Sequence, residues 1–115
     1  MPRPLKPLVF QILLALADEE RHGWSLVREA QQRGGFEALM PGNFYRTLRS
    51  MLADGLIEES RRRPAKPSGS SNDDERRRYF RVTTLGTRLA AAEARRLEAL
   101  VVEARAKRLI PRPRS

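Results

Sequence analysis

The chain is 115 residues long, with a formal net charge of +9, no cysteine and one histidine. That length supports one compact domain with at most an appendage, because two separate cores would each be marginal. With 40% hydrophobic and 32% charged residues it is neither a disordered polyelectrolyte nor a membrane protein. Without cysteine, disulfides, thiolate chemistry and most structural zinc sites are excluded. His22 alone cannot build a histidine metal cluster, and no nucleophile and base pair exists apart from it, so neither catalysis nor a cofactor or metal is expected.

The charge is divided unequally. Residues 1–60 hold 7 Lys/Arg against 8 Asp/Glu, whereas residues 61–115 hold 16 against 6. A basic half of net +10 calls for an anionic partner, nucleic acid before a membrane surface.

In chain order, Leu5, Leu8, Val9, Ile12, Leu13 and Leu16 take the i, i+3, i+4, i+7 spacing of a helix face. Phe10, Leu14 and Ala17 form a second apolar strip on the same helix. So small a domain cannot cover both, and the second strip is expected against another subunit. The run Leu8 to Ala17, with Arg3 and Lys6 before it, has the outline of a signal peptide. Gln11 interrupts it, Asp18-Glu19-Glu20 follow it, and it falls short of the roughly 20 apolar residues of a membrane span. The expected location is therefore the cytoplasm, on the nucleoid. Asp18 to Gly23 reads as a charged turn, and Trp24 to Arg33 as a short helix with Leu26, Val27 and Ala30 inward, closed by Gly34-Gly35. Trp24 is expected as a core anchor, and His22 as a structural residue that fixes the turn through a backbone hydrogen bond.

A third helix is expected from a cap at Asn43 to about Asp54, with Gly55 as terminator. At 100° per residue, Phe44, Leu48, Met51 and Leu52 form its apolar arc, and Asn43, Arg46, Arg49, Ser50 and Ala53 the opposite one. Leu56 to Arg63 is strand-like, and Arg76 to Val82 alternates with Phe80 and Val82 against Tyr79 and Arg81. Residues 64–75 between them are rich in Pro, Ser and Gly without apolar periodicity, the composition of a hairpin tip. Thr83 or Thr84 can cap a last helix that runs to about Ile110, where Pro111 and Pro113 stop it. Such a helix spans roughly 40 Å, more than this domain can cover. Leu89, Leu97, Leu100, Val101 and Ala104 share one side of it. With Phe10 and Leu14 they are the expected dimer interface.

Three helices, a strand, a long basic turn, a strand and a helix make a mainly α fold with a β-hairpin wing, a winged helix-turn-helix with a long C-terminal dimerisation helix. The division expected is a DNA-binding domain over 1–83, the dimerisation helix over 84–110 and a tail over 111–115. In that architecture the third helix enters the major groove of duplex DNA. Arg46 and Arg49 can fork to guanine edges or phosphates, and Asn43, Ser50 and the Tyr45 hydroxyl can support them. Arg61, Arg62 and Arg63 on one arm of the hairpin and Arg76, Arg77 and Arg78 on the other repel one another. A phosphate backbone between them would offset that repulsion.

Four segments carry a resemblance to a known family. His22-Gly23-Trp24-Ser25-Leu26 resembles the His-Gly-Tyr-x-Leu element of the PadR-like (phenolic acid decarboxylase regulator) family. Pro41-Gly42-Asn43-Phe44-Tyr45-Arg46-Thr47-Leu48 is similar to its Pro-Gly-Thr-Leu-Tyr-Pro-x-Leu recognition helix. Asp54-Gly55-Leu56-Ile57 resembles its Glu-Gly-Leu-Ile turn, and Arg78-Tyr79-Phe80-Arg81-Val82-Thr83 with Gly86 its Arg/Lys-Tyr-Tyr-x-Leu-Thr-x-x-Gly segment. The resemblance implies a homodimeric bacterial transcription factor, commonly a repressor, on inverted-repeat operators. It also implies an interface made by the last helix with help from the first, and membership of the short branch of the family. Asn43 stands where the family has Thr, and Arg46 where it has Pro, so base readout does not transfer from relatives. Some short members stack flat aromatic effectors on a tryptophan of the last helix. This chain has no aromatic there, which leaves a small-molecule effector unsupported. Two other classes use the same features: an RNA-binding module on the basic surface, and a protein-interaction adaptor on a winged-helix scaffold.

Overall fold

A computed structural model describes residues 4–33, 41–60 and 78–111. Helix α1 (Pro7–Leu16) leads through strand β1 (Arg21–His22) into α2 (Gly23–Arg33). Helix α3 (Pro41–Ala53), strands β2 (Ile57–Glu59) and β3 (Tyr79–Val82), and helix α4 (Thr84–Ala106) follow. The arrangement is a mainly helical winged-helix fold with a small antiparallel sheet ordered β1-β3-β2.

Helix α1 begins at Pro7, two residues later than the periodicity of Leu5 suggests. Proline suits a first-turn position, where its missing N–H would have no helical acceptor. Leu5 nonetheless packs against the core. Ile12, Leu13, Ala15 and Leu16 are buried, while Leu14, on the second apolar strip, is 48% exposed.

The charged turn expected over residues 18–23 contains a strand. Arg21 pairs with Phe80 and His22 with Tyr79, so β1 covers the edge of the wing strand. Two residues are too few to show an alternating pattern, and only the partner strand reveals them. Arg21 then acts as a clasp: its Nε donates to the Ala15 carbonyl at 2.7 Å, and its other nitrogens lie 3.2 Å from Glu19 and from Glu29. The His22 ring accepts the Ser25 amide at Nδ1, 3.0 Å away, which is the structural role expected of it. Partial burial lowers its pKa from the usual 6.5.

Helix α3 starts at Pro41, so Asn43 lies inside the first turn and is not the cap; its carbonyl accepts from the Thr47 hydroxyl at 3.1 Å. Phe44, Tyr45, Leu48 and Met51 are buried and Leu52 packs beside them. The helix ends as expected at Gly55, with φ of +75°. The Leu56 amide donates to the Met51 carbonyl and the Gly55 amide to that of Leu52, at 3.0 and 3.2 Å, the double closure that a left-handed residue permits.

From there β2 pairs with β3 through Ile57 with Val82, Glu58 with Arg81 and Glu59 with Phe80. Phe80 turns into the core and Arg81 outward, the alternation read from the sequence. Thr83 caps α4, its hydroxyl accepting from the Gly86 amide at 3.0 Å and donating to the Gly55 carbonyl at 2.6 Å. Helix α4 spans 23 residues rather than reaching Ile110. It closes at Arg108, whose φ is +61°, with the same pair of hydrogen bonds as α3: Leu109 N–H to Ala104 at 2.8 Å and Arg108 N–H to Arg105 at 3.0 Å. Its first turns lie on the core through Leu89 and Ala90. Buried Glu93 is gripped by Arg96 at 2.9 and 2.6 Å. That guanidinium, aided by the Leu5 backbone amide and opposed by burial, holds the Glu93 carboxyl below its usual range.

Candidate nucleic-acid interface

The α3 residues expected at DNA separate into two groups. Asn43, Arg46, Arg49 and Ser50 are exposed on one face of α3, opposite the side buried by Phe44, Leu48 and Met51. This follows from the helical repeat: apolar residues spaced by three and four claim one arc and leave the polar ones the other. Arg46 makes no hydrogen bond or ion pair to any described residue, so its planar fork of donors is open to a ligand. Tyr45 belongs to the second group. It is 9% exposed and packs edge-on against Phe44 with ring centroids 5.8 Å apart, which makes its ring part of the core rather than of the outer face. Its position next to Phe44, at the border of the apolar arc, explains the difference.

Of the wing arginines, Arg61, Arg62, Arg63, Arg76 and Arg77 lie outside the described residues. Arg78 is exposed at the base of the hairpin, and its Nε stands 3.7 Å from the Glu59 carboxylate. Arg81 pairs with Glu58 at 2.8 Å, and the Ser60 hydroxyl donates to Glu20 at 2.6 Å. The root of the hairpin is thus knitted by opposite charges contributed by the acidic half of the chain. The Arg78 carbonyl also accepts the Gly23 amide at 3.0 Å, which docks the start of α2 beside the wing.

Trp24 is not the core anchor expected from its size. It is 50% exposed, and the Arg28 guanidinium lies 5.2 Å from its ring centroid. The signal was present in the helical phase. Gly23, Leu26, Val27 and Ala30 are the buried residues of α2, and Trp24 falls roughly 110° from the middle of their arc. Arg21, Glu29 and Ser60 carry structural bonds that no motif in the sequence marks.

Of the expected dimer residues, Leu14, Leu100 and Val101 are 48%, 51% and 38% exposed, and Phe10, Leu97 and Ala104 are half-buried. Leu89 packs against this chain's own core. Among the described residues there is no group of three side chains able to hold a metal ion, and no helix long and apolar enough to cross a membrane.

Comparison with known proteins fits this geometry. The chain resembles a PadR family transcription regulator from hypervirulent Clostridium difficile R20291 (TM-score 0.68, 19% identity, 88% of this chain and 97% of that one). It resembles equally a PadR-like transcriptional regulator from Bacillus cereus (TM-score 0.67, 21% identity, 91% and 93%). The adhesin competence repressor of Streptococcus pyogenes shares the fold at TM-score 0.59 and 16% identity, over 93% of this chain and 69% of that one. No curated protein matches the sequence. The sequence profile of the transcriptional regulator PadR-like family matches residues 12–92. With the winged-helix fold and the exposed polar face of α3 in place, that match means that the chain belongs to the PadR-like family of transcriptional regulators.

Proposed function

We propose that this regulator is a homodimeric repressor that reads a pseudo-palindromic operator, with Arg46 as its leading base-reading residue. The uncommitted Arg46 guanidinium on the outer face of α3 is the observation that carries this reading. A fork of donors on a helix of major-groove size suits the O6 and N7 acceptors of guanine. Arg49, Asn43 and Ser50 share its face and would contribute phosphate or base contacts. Tyr45 supports the helix from the core side. Arg61, Arg62, Arg63, Arg76, Arg77 and Arg78 would supply sequence-independent affinity along the backbone.

The dimer is favoured by the exposed apolar residues of α4 and by Leu14, with residues 1–83 as the DNA-binding unit and 84–110 as the dimerisation helix. Two α3 helices would then meet half-sites about 34 Å apart, one turn of duplex. Repression is the simplest outcome of a dimer seated at a promoter, and the Streptococcus pyogenes neighbour is a repressor by name. The cytoplasm, on the nucleoid, is the corresponding location.

Selection of bound sequences from a random duplex pool would yield the operator, on which two variants separate readout from affinity. Arg46→Ala is expected to cost about 1–3 kcal/mol on the operator and to relax base preference. Arg62→Ala is expected to weaken all sequences alike and to flatten the salt slope by about one. Equal losses on operator and random DNA for Arg46→Ala would overturn the assignment.

A further inference from the structure

Helix α2 carries a feature that neither the recognition helix nor the wing accounts for. Trp24 leaves half its surface in solvent, and Arg28, one helical turn on, lies over its ring at 5.2 Å. Neither side chain makes any other bond within the described residues. The remaining arginines around the open cavity of about 410 Å³ on this side of α2 are committed: Arg21 and Arg33 both bind Glu29, at 3.2 and 3.4 Å. Among the described residues Arg28 therefore has no carboxylate partner; it lies over an aromatic face with its N–H donors unspent there.

The position is as informative as the chemistry. The amide of Gly23, directly before Trp24, is bonded to the carbonyl of Arg78 at 3.0 Å, so α2 begins at the root of the wing with Trp24 as its second residue. In a helix-turn-helix the helix before the recognition helix crosses the DNA backbone. An indole N–H and a guanidinium are both donors suited to phosphate oxygens, and neither contains an acceptor to repel them.

We propose that Trp24 and Arg28 form a phosphate clamp on duplex DNA, with the Trp24 Nε1–H and the Arg28 guanidinium donating to the backbone next to the wing. Stacking on the indole restricts the guanidinium before DNA arrives, which lowers the ordering cost of the contact. The clamp rests on the DNA-binding reading above and adds to it a sequence-independent contact from α2.

Trp24 is the only tryptophan in the chain, so its fluorescence reports on the clamp alone. Because phosphate contacts need no operator, a random-sequence duplex of about 30 base pairs at low salt serves as the probe. On saturation with this duplex, the wild-type emission is expected to become less accessible to acrylamide. Arg28→Gln is expected to lower affinity about threefold to tenfold and to reduce the salt slope by about one. Trp24→Phe keeps the ring and loses the N–H, and is expected to lower affinity about threefold with the slope unchanged. Both variants should keep the wild-type unfolding midpoint, since both side chains are exposed. Unchanged acrylamide access, or an Arg28→Gln slope equal to wild type while Arg62→Ala flattens it, would overturn the clamp and leave the DNA-binding reading standing. Wild-type protein without salt-dependent duplex binding would overturn both.

Discussion

Gly86 is placed where no other residue fits. A Cβ built there would collide with the Leu56 carbonyl oxygen and approach Val82 Cγ2 to 2.9 Å. The start of α4 is thereby pressed onto the turn that leaves α3, and Thr83 bonds the same turn from the other side. Because the obstacle is backbone, Gly86→Ala is expected to cost about 1–3 kcal/mol or more in urea unfolding. His22 gives a pH dependence of definite sign. Its Nδ1 must be unprotonated to accept the Ser25 amide, and burial lowers its pKa below 6.5. The folded state therefore prefers the neutral ring. The contribution is complete above the unfolded value of 6.5 and is lost as the pH falls below it, levelling off under the folded pKa. His22→Asn keeps an acceptor at the cap and removes the titration. Its unfolding midpoint should change less between pH 7 and about pH 5 than that of the wild type.

At the scale of the elements, α3 and α4 end with the same hydrogen-bonded closure, one on Gly55 and the other on Arg108. Glycine adopts the left-handed conformation freely, whereas a side chain with a Cβ is strained in it. Arg108→Gly should therefore stabilise the C-terminal turn of α4 by about 0.5–1 kcal/mol, as a higher midpoint in thermal unfolding followed by helical circular dichroism. The two closures also show what a sequence can disclose. Gly55 marks its terminus because glycine is the usual solution. Arg108 carries no such mark, and the helix read from the sequence runs on to the prolines. The cap at Thr83, the buried faces of α1 and α3 and the alternation in β3 were all legible from residue spacing. Strand β1 and the Arg21 clasp were not, because their partners come from β3, α1 and α2.

The molecule as a whole is elongated. Its radius of gyration is 16.2 Å and its long axis 55 Å, against about 13 Å for the radius of a compact chain of this length. The 23 residues of α4 make roughly 34 Å of helix; Leu100, Val101 and Val102 in its second half and Leu109 beyond its end stay exposed. Leu100 and Val101, with half-buried Leu97 and Ala104 on the same side, leave an apolar strip that is unfavourable in water and supports the dimer seam proposed above. In the dimer proposed above, Leu100→Glu would bring a like charge to each side of the seam. It should shift the protein from dimer to monomer in sedimentation at micromolar concentration, with a loss of about 1 kcal/mol or more in association. An unchanged dimer would remove α4 from the interface.

The net charge, its concentration after residue 60, the spacing of the apolar residues and the four family segments were sufficient to read a winged-helix regulator whose third helix exposes a polar face. These properties are local, since each depends on composition or on the fixed repeat of a helix or strand. Tertiary structure alone decided that Arg21 clasps Ala15, Glu19 and Glu29, and that Arg78 and Arg81 meet carboxylates at the wing's root. It also decided that Leu89 serves the chain's own core. The reason is physical: burial and ion pairing depend on which distant surface arrives against a side chain, and no spacing along one element records that.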